Sequence, residues 1–397
     1  MFFYLSVFLG CTNFLSSFVV ILFWSLTALI IISEYGINIL NKRSARLFVA
    51  FYSVAAIYAV LGHGPAASLQ GHLANIFGTF SILVFSAFVV KLPDEGIRKA
   101  VRAVVFSLLI SAVGTTLVST VDPMALRYYG GGGGEASVVS AYRMMGMMSY
   151  SQAHAVAVVI PPLMLLMVYV NKTANKILCA VLAFLLLRIL FVMEVTTALI
   201  AAIIASFVIM IFFKFKINLK RILCLCVILI AIALYSGILT LVWEILGSVE
   251  DVDVAVKLAS FSTFEGGEAE GDLGTRITLY TNSFMTFLSN PIFGWGTDNG
   301  SWTRIGEHSF LLDYLAYYGL FALLLFVGWY NEYKSLNGRL YGNNRTSYYY
   351  CLIPLVILIP LKSPFAYRDY LFISLVAVRI IFLYISKLYS PEMTKTK

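Results

Sequence analysis

His308 stands immediately before the apolar run FLLDYLAYYGLFALLLF, at the end of a long acidic segment. An imidazole titrates near neutrality and can take a proton from a hydroxyl, so a histidine held at this junction is a candidate general base. Glu307, its neighbour, is placed either to tune that ring or to cap the following helix as a solvated carboxylate. Arg276 opens a stretch with helical periodicity, and Arg143 sits in AYRMMGMMSYSQAH just before another apolar run. Each can grip an anion through the planar guanidinium fork, or can snorkel to lipid headgroups as an anchor. Arg188 lies inside an apolar run, FLLLRILFVMEV, where a charge is costly and is either functional or paired, with Glu194 as the conceivable partner. Arg379 equally suits pairing within a helix bundle. Arg304 is a further basic residue near His308, and Trp295 and Tyr318 offer flat surfaces for stacking on a sugar or for an interfacial aromatic belt.

The elements that must hold these residues are set by composition. Of the 397 residues, 60% are hydrophobic and 12% charged, where a soluble domain carries roughly 25% charged residues. Mean hydropathy is +0.88. An all-α polytopic membrane protein is expected, forming one integral membrane domain over 1–397. The apolar run from Phe2 to Ser33 has no basic leader and outruns a signal peptide, so a membrane segment is expected there and not a cleaved one. All five cysteines fall in apolar segments, which leaves no loop pair for a disulfide and makes packing the reading for Cys224-x-Cys226.

Apolar spans fall at about 3–33, 47–62, 72–90, 101–120, 151–170, 176–193, 195–213, 221–243, 309–329, 347–361 and 369–386. That gives eleven spans, with a twelfth if 3–33 is a helix preceded by a re-entrant piece. Alternating the connections puts nineteen Lys and Arg on one side and seven on the other, which assigns the first side to the cytoplasm. The net charge of +8 is thereby explained by topology, and nucleic acid is not implied as a partner.

Two outer loops are long. The first, 121–150, holds five consecutive glycines with no Lys-Ser/Thr after them, so it reads as a flexible connection and not a phosphate loop. The second, 244–308, carries ten acidic and three basic residues up to Glu307. Within it, Ile277, Tyr280, Phe284, Phe287 and Leu288 recur at helical steps, predicting an amphipathic helix over 275–289 that Asn290-Pro291 ends. Asp251-Val-Asp253 and the pair His63/His72 do not build a convincing metal site.

Three segments together resemble the O-antigen ligase/O-antigen polymerase superfamily of bacterial envelope proteins. His308-Ser309 is followed by nine residues and Gly319, similar to that family's His-Asn/Ser/Gln, nine residues, Gly pattern. Arg276 through NPIFGWG (290–296) resembles its Arg, amphipathic helix and Asn-Pro-x-x-Gly-x-Gly stretch. Arg143-x-x-Gly146, with Ser149 and Ser151-Gln152, resembles its Arg-x-x-Gly element. Where many members carry a Ser-Arg pair, this chain has Thr196 in place of the arginine, with Arg188 two turns earlier as a stand-in.

The resemblance implies a metal-independent membrane glycosyltransferase of the lipid-donor (GT-C-like) class, without a cofactor. It would sit in the bacterial inner membrane and take a glycan from undecaprenyl diphosphate at the periplasmic face. His308, Arg276 and Arg143 become the catalytic candidates, and Arg188, Arg304, Glu307, Trp295 and Tyr318 the substrate-binding ones. The second arginine on the diphosphate is Arg143, Arg188 or both. A polymerase, which adds the chain to another lipid-linked repeat, is favoured over a ligase acting on lipid A-core. Implied partners are the lipid-linked oligosaccharide and polymer, membrane lipids, a chain-length regulator and a flippase. A flippase for the same glycans is the rival from another class, but it would place charges along several spans and show an internal repeat.

Overall fold

The computed structural model describes residues 1–61, 69–122, 125, 129, 135–192, 196–212, 272–295, 305–337, 344–361 and 367–388. The chain divides into two compact units, a larger one of Met1–Ile209 with Leu279–Lys397 and a smaller one of Met210–Thr278. Among the described residues the secondary structure is helical throughout. In chain order the α-helices are α1 (Phe2–Gly10), α2 (Ser17–Tyr35), α3 (Lys42–Val60), α4 (Leu69–Val89), α5 (Asp94–Val121), α6 (Ala136–Met144), α7 (Tyr150–Val156), α8 (Ile160–Tyr169), α9 (Thr173–Val192) and α10 (Thr196–Phe212). They continue with α11 (Asp272–Ser289), α12 (Phe310–Tyr318), α13 (Ala322–Asn337), α14 (Asn344–Cys351), α15 (Ile353–Leu361), α16 (Tyr367–Phe372) and α17 (Val378–Leu388), the last two joined by a π-helical turn at Ile373–Ala377.

Seven helices among the described residues are long and apolar enough to cross a membrane, and an eighth span results if α7 and α8, bent by 45°, are one. Pro161 and Pro162 explain the bend, because neither can donate a backbone hydrogen bond to the preceding turn. The chain is a multi-pass membrane protein. The expected span at 195–213 is the 17-residue α10, and the one at 221–243 lies outside the described residues.

Residues 3–33 form two helices, α1 and α2, and the break at 11–16 is held from outside. Ser111 Oγ donates to the Cys11 carbonyl at 3.3 Å, and Gln152 Nε2 donates to the Thr12 carbonyl at 2.9 Å. Asn13 Nδ2 donates to the Met147 carbonyl at 3.3 Å. Backbone carbonyls freed by the break thus find partners from α5 and α7, as any polar group shielded from water must. Gln152 also completes the capping box of α7, where Ser149 Oγ accepts from Gln152 N at 3.1 Å and Ser149 N donates to Gln152 Oε1 at 3.2 Å.

Arg379 is 1% exposed and pairs inside the bundle. Its Nη1 donates to the Ser86 carbonyl at 2.9 Å and to Ser86 Oγ at 2.5 Å. Nη2 donates to the Glu332 carbonyl at 2.6 Å, and Glu332 Oε2 lies 3.8 Å from Nη1. A guanidinium this deep needs its charge compensated, and α4 and α13 supply the partners of Nη1 and Nη2, while the buried Nε has none among the described residues.

Aromatic packing joins α3 to the α12–α13 pair. Phe51 stacks on Tyr314 at 6.1 Å, and Tyr58 stacks on Tyr318 at 5.6 Å. Further along, the ring of Phe48 packs on Gly328, so α3 runs antiparallel to α13.

Candidate functional site

The segment 305–309 and the start of α12 are organised by one buried carboxyl group, Asp313. Ser309 caps α12, its Oγ accepting from Leu312 N at 3.1 Å while its own N–H donates to Asp313 Oδ2 at 2.9 Å. This is a reciprocal cap with the acid one position later than in the usual box. Asp313 Oδ1 accepts from Ser283 Oγ at 2.5 Å, and Ser283 Oγ in turn accepts from Gly306 N at 2.8 Å. Glu307 N–H also donates to Asp313. Ser283, Ser309 and Asp313 have no exposed surface, so these bonds form away from water, where each lost partner is costly.

Ser283 comes from α11, which contains the helix expected at 275–289. The face turned to the protein carries Ser283 and Thr286, both buried, whereas Phe284, Met285 and Leu288 are exposed. An apolar face turned outward suits a helix lying against lipid, and the small polar side then closes on 305–309. Gly306 makes that approach feasible, since a Cβ there would lie 2.7 Å from the Leu279 carbonyl carbon.

This framework presents His308. The ring is exposed, and its Nδ1 lies 2.9 Å from the Gly306 carbonyl oxygen. A carbonyl only accepts, so Nδ1 carries the proton of the neutral ring and Nε2 keeps its lone pair. The carbonyl of Gly306 therefore orients the imidazole for a base at Nε2. Glu307 holds Tyr317, whose hydroxyl donates to Glu307 Oε1 at 2.8 Å. Among the described residues Glu307 is also the one non-glycine with positive φ, at 56°, a conformation costing about 1–3 kcal/mol that neighbouring bonds must sustain. Strain of this kind beside a candidate base is a mark of a functional segment.

The nine residues from Ser309 to Gly319 are the length of α12. Gly319 ends that helix at φ 57°, ψ −143°, and there meets the NPIFG turn. Trp295 N donates to the Ala316 carbonyl at 2.9 Å, and Leu320 N donates to the Pro291 carbonyl at 2.8 Å. Asn290 closes the turn, its Nδ2 donating to the Gly294 carbonyl at 2.7 Å. Gly294, at φ 70°, and Gly319 lie backbone against backbone, so that a Cβ on Gly294 would sit 2.5 Å from Gly319 N. The two glycine patterns are halves of one clasp.

Arg143-x-x-Gly146 has an equally physical basis. Met147 N donates to the Tyr142 carbonyl at 3.0 Å and Gly146 N to the Arg143 carbonyl at 2.9 Å, with Gly146 at φ 85°. That is a Schellman stop, which requires glycine three residues after the arginine. The Arg143 side chain is half-buried and makes no hydrogen bond or ion pair among the described residues.

Arg276 lies near the start of α11, within the smaller unit, and is half-buried. Arg188 is half-buried on α9 with its Nη1 buried and unbonded, while Glu194 lies outside the described residues, as does Arg304. Trp295 is 36% exposed, its Nε1 donating to Ser289 Oγ at 2.7 Å. Tyr318 is 2% exposed, a core aromatic packed between Phe51 and Tyr58. Asp313 and Ser283 are absent from the sequence reading. The signal for Asp313 was present as a lone acid in an apolar run, the kind of residue that marks a site by default.

Residues 181–327 match the family model described as O-antigen ligase. That match supports a likeness to the O-antigen ligase/polymerase superfamily over this stretch and does not separate polymerase from ligase. The match takes in Arg188, Arg276, Asp313, His308 and Gly319 and leaves Arg143 outside it. Members of the O-antigen ligase family are glycosyltransferase-like enzymes acting on polysaccharide. No curated protein matches the chain.

Proposed function

We propose that this protein is a surface-polysaccharide polymerase that transfers a glycan from undecaprenyl diphosphate to a hydroxyl of a lipid-linked repeat unit at the outer face of the inner membrane. The observation that carries the transferase reading is His308, exposed, with Nδ1 committed to the Gly306 carbonyl and Nε2 left as a base, inside the matched domain. Nε2 takes the acceptor proton as the acceptor oxygen bonds to the anomeric carbon. The bond from that carbon to the diphosphate oxygen breaks, and the electron pair leaves with the lipid diphosphate. Arginine is the side chain suited to the charge developing there, and Arg276, Arg143 and Arg188 are the proposed sources. Two lipid-anchored reactants held at one membrane surface supply proximity.

Polymerase is favoured over ligase by the aromatic content of 15%, the replaced Ser-Arg element and the chain length, all by family analogy. Transfer to lipid A-core is the second reading, favoured by the description of the matched family as O-antigen ligase. Deleting the gene and running the surface polysaccharide on a gel separates them. One repeat per acceptor is expected. Accumulated lipid-linked polymer would mean a ligase, and single repeats stranded on the inner leaflet would mean a flippase.

Asp313 acts in this reaction as a positioning residue for His308. Asp313→Asn keeps the shape but turns an amide NH2 toward donors that now meet an acceptor, at a cost of about 1–3 kcal/mol. Polymer formed per molecule of membrane protein should fall severalfold, measured by gel densitometry against an immunoblot. Unchanged polymer per molecule would leave Asp313 with a purely structural role.

A further inference from the structure

We propose that the groove between α5, α8, α9 and α17, far from His308 in sequence and chemistry, binds an anionic phospholipid. The groove has a volume of about 480 Å³. Its walls are apolar, with Phe106 and Leu178 on facing helices and Tyr384 from α17. Its rim carries three cations, Arg98 and Arg102 one turn apart on α5 and Lys172 from the turn before α9. No acidic residue lines it.

Asp94 and Glu95, in the turn before Arg98, each bond a lysine and attract Arg98 only at longer range. Asp94 pairs with Lys387, and Glu95 pairs with Lys99 at 2.8 Å. Among the described residues Arg98, Arg102 and Lys172 make no ion pair, and all three are exposed. Arg98 and Arg102 lie in the second and third turns of α5, near its N-terminal end. Positive charge gathered at that end, unpaired and beside an apolar slot, is complementary to a phosphodiester with an acyl chain below it. The length suits this occupant. From Arg98 to Leu109 the groove follows α5 for about 17 Å at 1.5 Å per residue, close to the ~15 Å hydrocarbon depth of one leaflet. Arg98, Arg102 and Lys172 fall on the lysine- and arginine-rich side of the topology expected from the sequence, which puts the phosphate in the leaflet opposite the proposed reaction.

The test uses the full chain purified in mild detergent and titrated with phosphatidylglycerol, phosphatidylcholine or undecaprenyl phosphate. Retained lipid is read by native mass spectrometry and stability by thermal melting. Phosphatidylglycerol should be retained and raise the apparent Tm by several degrees, with phosphatidylcholine giving little. The triple variant Arg98→Gln, Arg102→Gln, Lys172→Gln should lose that difference. Leu178→Trp, which fills the groove without changing charge, should also weaken retention, and it keeps the proposal falsifiable if the triple variant does not fold. Equal shifts with the zwitterionic lipid would overturn the site, as would full retention in Leu178→Trp. Binding of undecaprenyl phosphate but not phosphatidylglycerol would overturn the assigned occupant in favour of the isoprenoid carrier.

Discussion

His308→Ala should abolish glycan polymerisation while leaving the amount of protein in the membrane unchanged. The loss in rate expected from removing a positioned general base is about 10²–10⁴-fold, enough to erase a polymer ladder. Stability should be spared because the ring is exposed, and the one bond it makes among the described residues, to the Gly306 carbonyl, can be replaced by water. The buried network of Ser283, Ser309 and Asp313 does not use the imidazole and stays intact. His308→Gln is the sharper companion, since it keeps a donor for Gly306 but has no titratable lone pair. The measurement is a gel of surface polysaccharide from the deletion strain carrying each variant, with an immunoblot of the membranes. Full-length polymer from the alanine variant would sink the assignment of His308 as base. Lost polymer with lost protein would instead make His308 a folding residue, contrary to its exposure.

What the sequence makes legible here is local, and what it hides is contact at a distance. Hydropathy shows the spans, and three- and four-residue steps show α11, because both signals lie within one element. The junction at His308 is legible for the same reason, as a polar residue at the mouth of an apolar run. Asp313 is not, because its value comes from Ser283, 30 residues away, and no pattern joins the two. The break at 11–16 is left open by the sequence, where 3–33 reads as one helix or as a helix preceded by a re-entrant piece; Ser111 and Gln152 decide it from other helices. Tyr318 is hidden differently. An aromatic near a helix end has the same sequence signature whether it faces a sugar or, as here, the core. The spacing from His308 to Gly319 is visible as a number, but its meaning is the partner glycine, and a glycine carries no side chain to announce it.

Gly319→Ala should therefore fail at the level of folding. The native φ of 57° with ψ −143° is open to glycine and nearly closed to alanine, which alone costs about 1–3 kcal/mol. The added Cβ would also lie 2.6 Å from Gly294 N and press on the backbone of Ile292, which cannot rotate aside as a side chain can. Relief requires parting the turn from α12, at the expense of Trp295 N to Ala316 O and Leu320 N to Pro291 O, each worth about 1 kcal/mol. The sum reaches the range where single substitutions empty the native state. Membrane levels should fall severalfold and the remainder should melt early, read by immunoblot and by thermal unfolding in detergent. Gly294→Ala should behave alike, because its Cβ would meet Gly319 N and the Tyr317 carbonyl. Gly36→Ala is the control that isolates the clash from the backbone strain. Gly36 has φ 73° but nothing within 4 Å of an added Cβ, so only strain is incurred and levels should stay near wild type. If Gly319→Ala accumulates normally yet forms no polymer, the clasp is not what the glycine is for, and the position moves from scaffold to site.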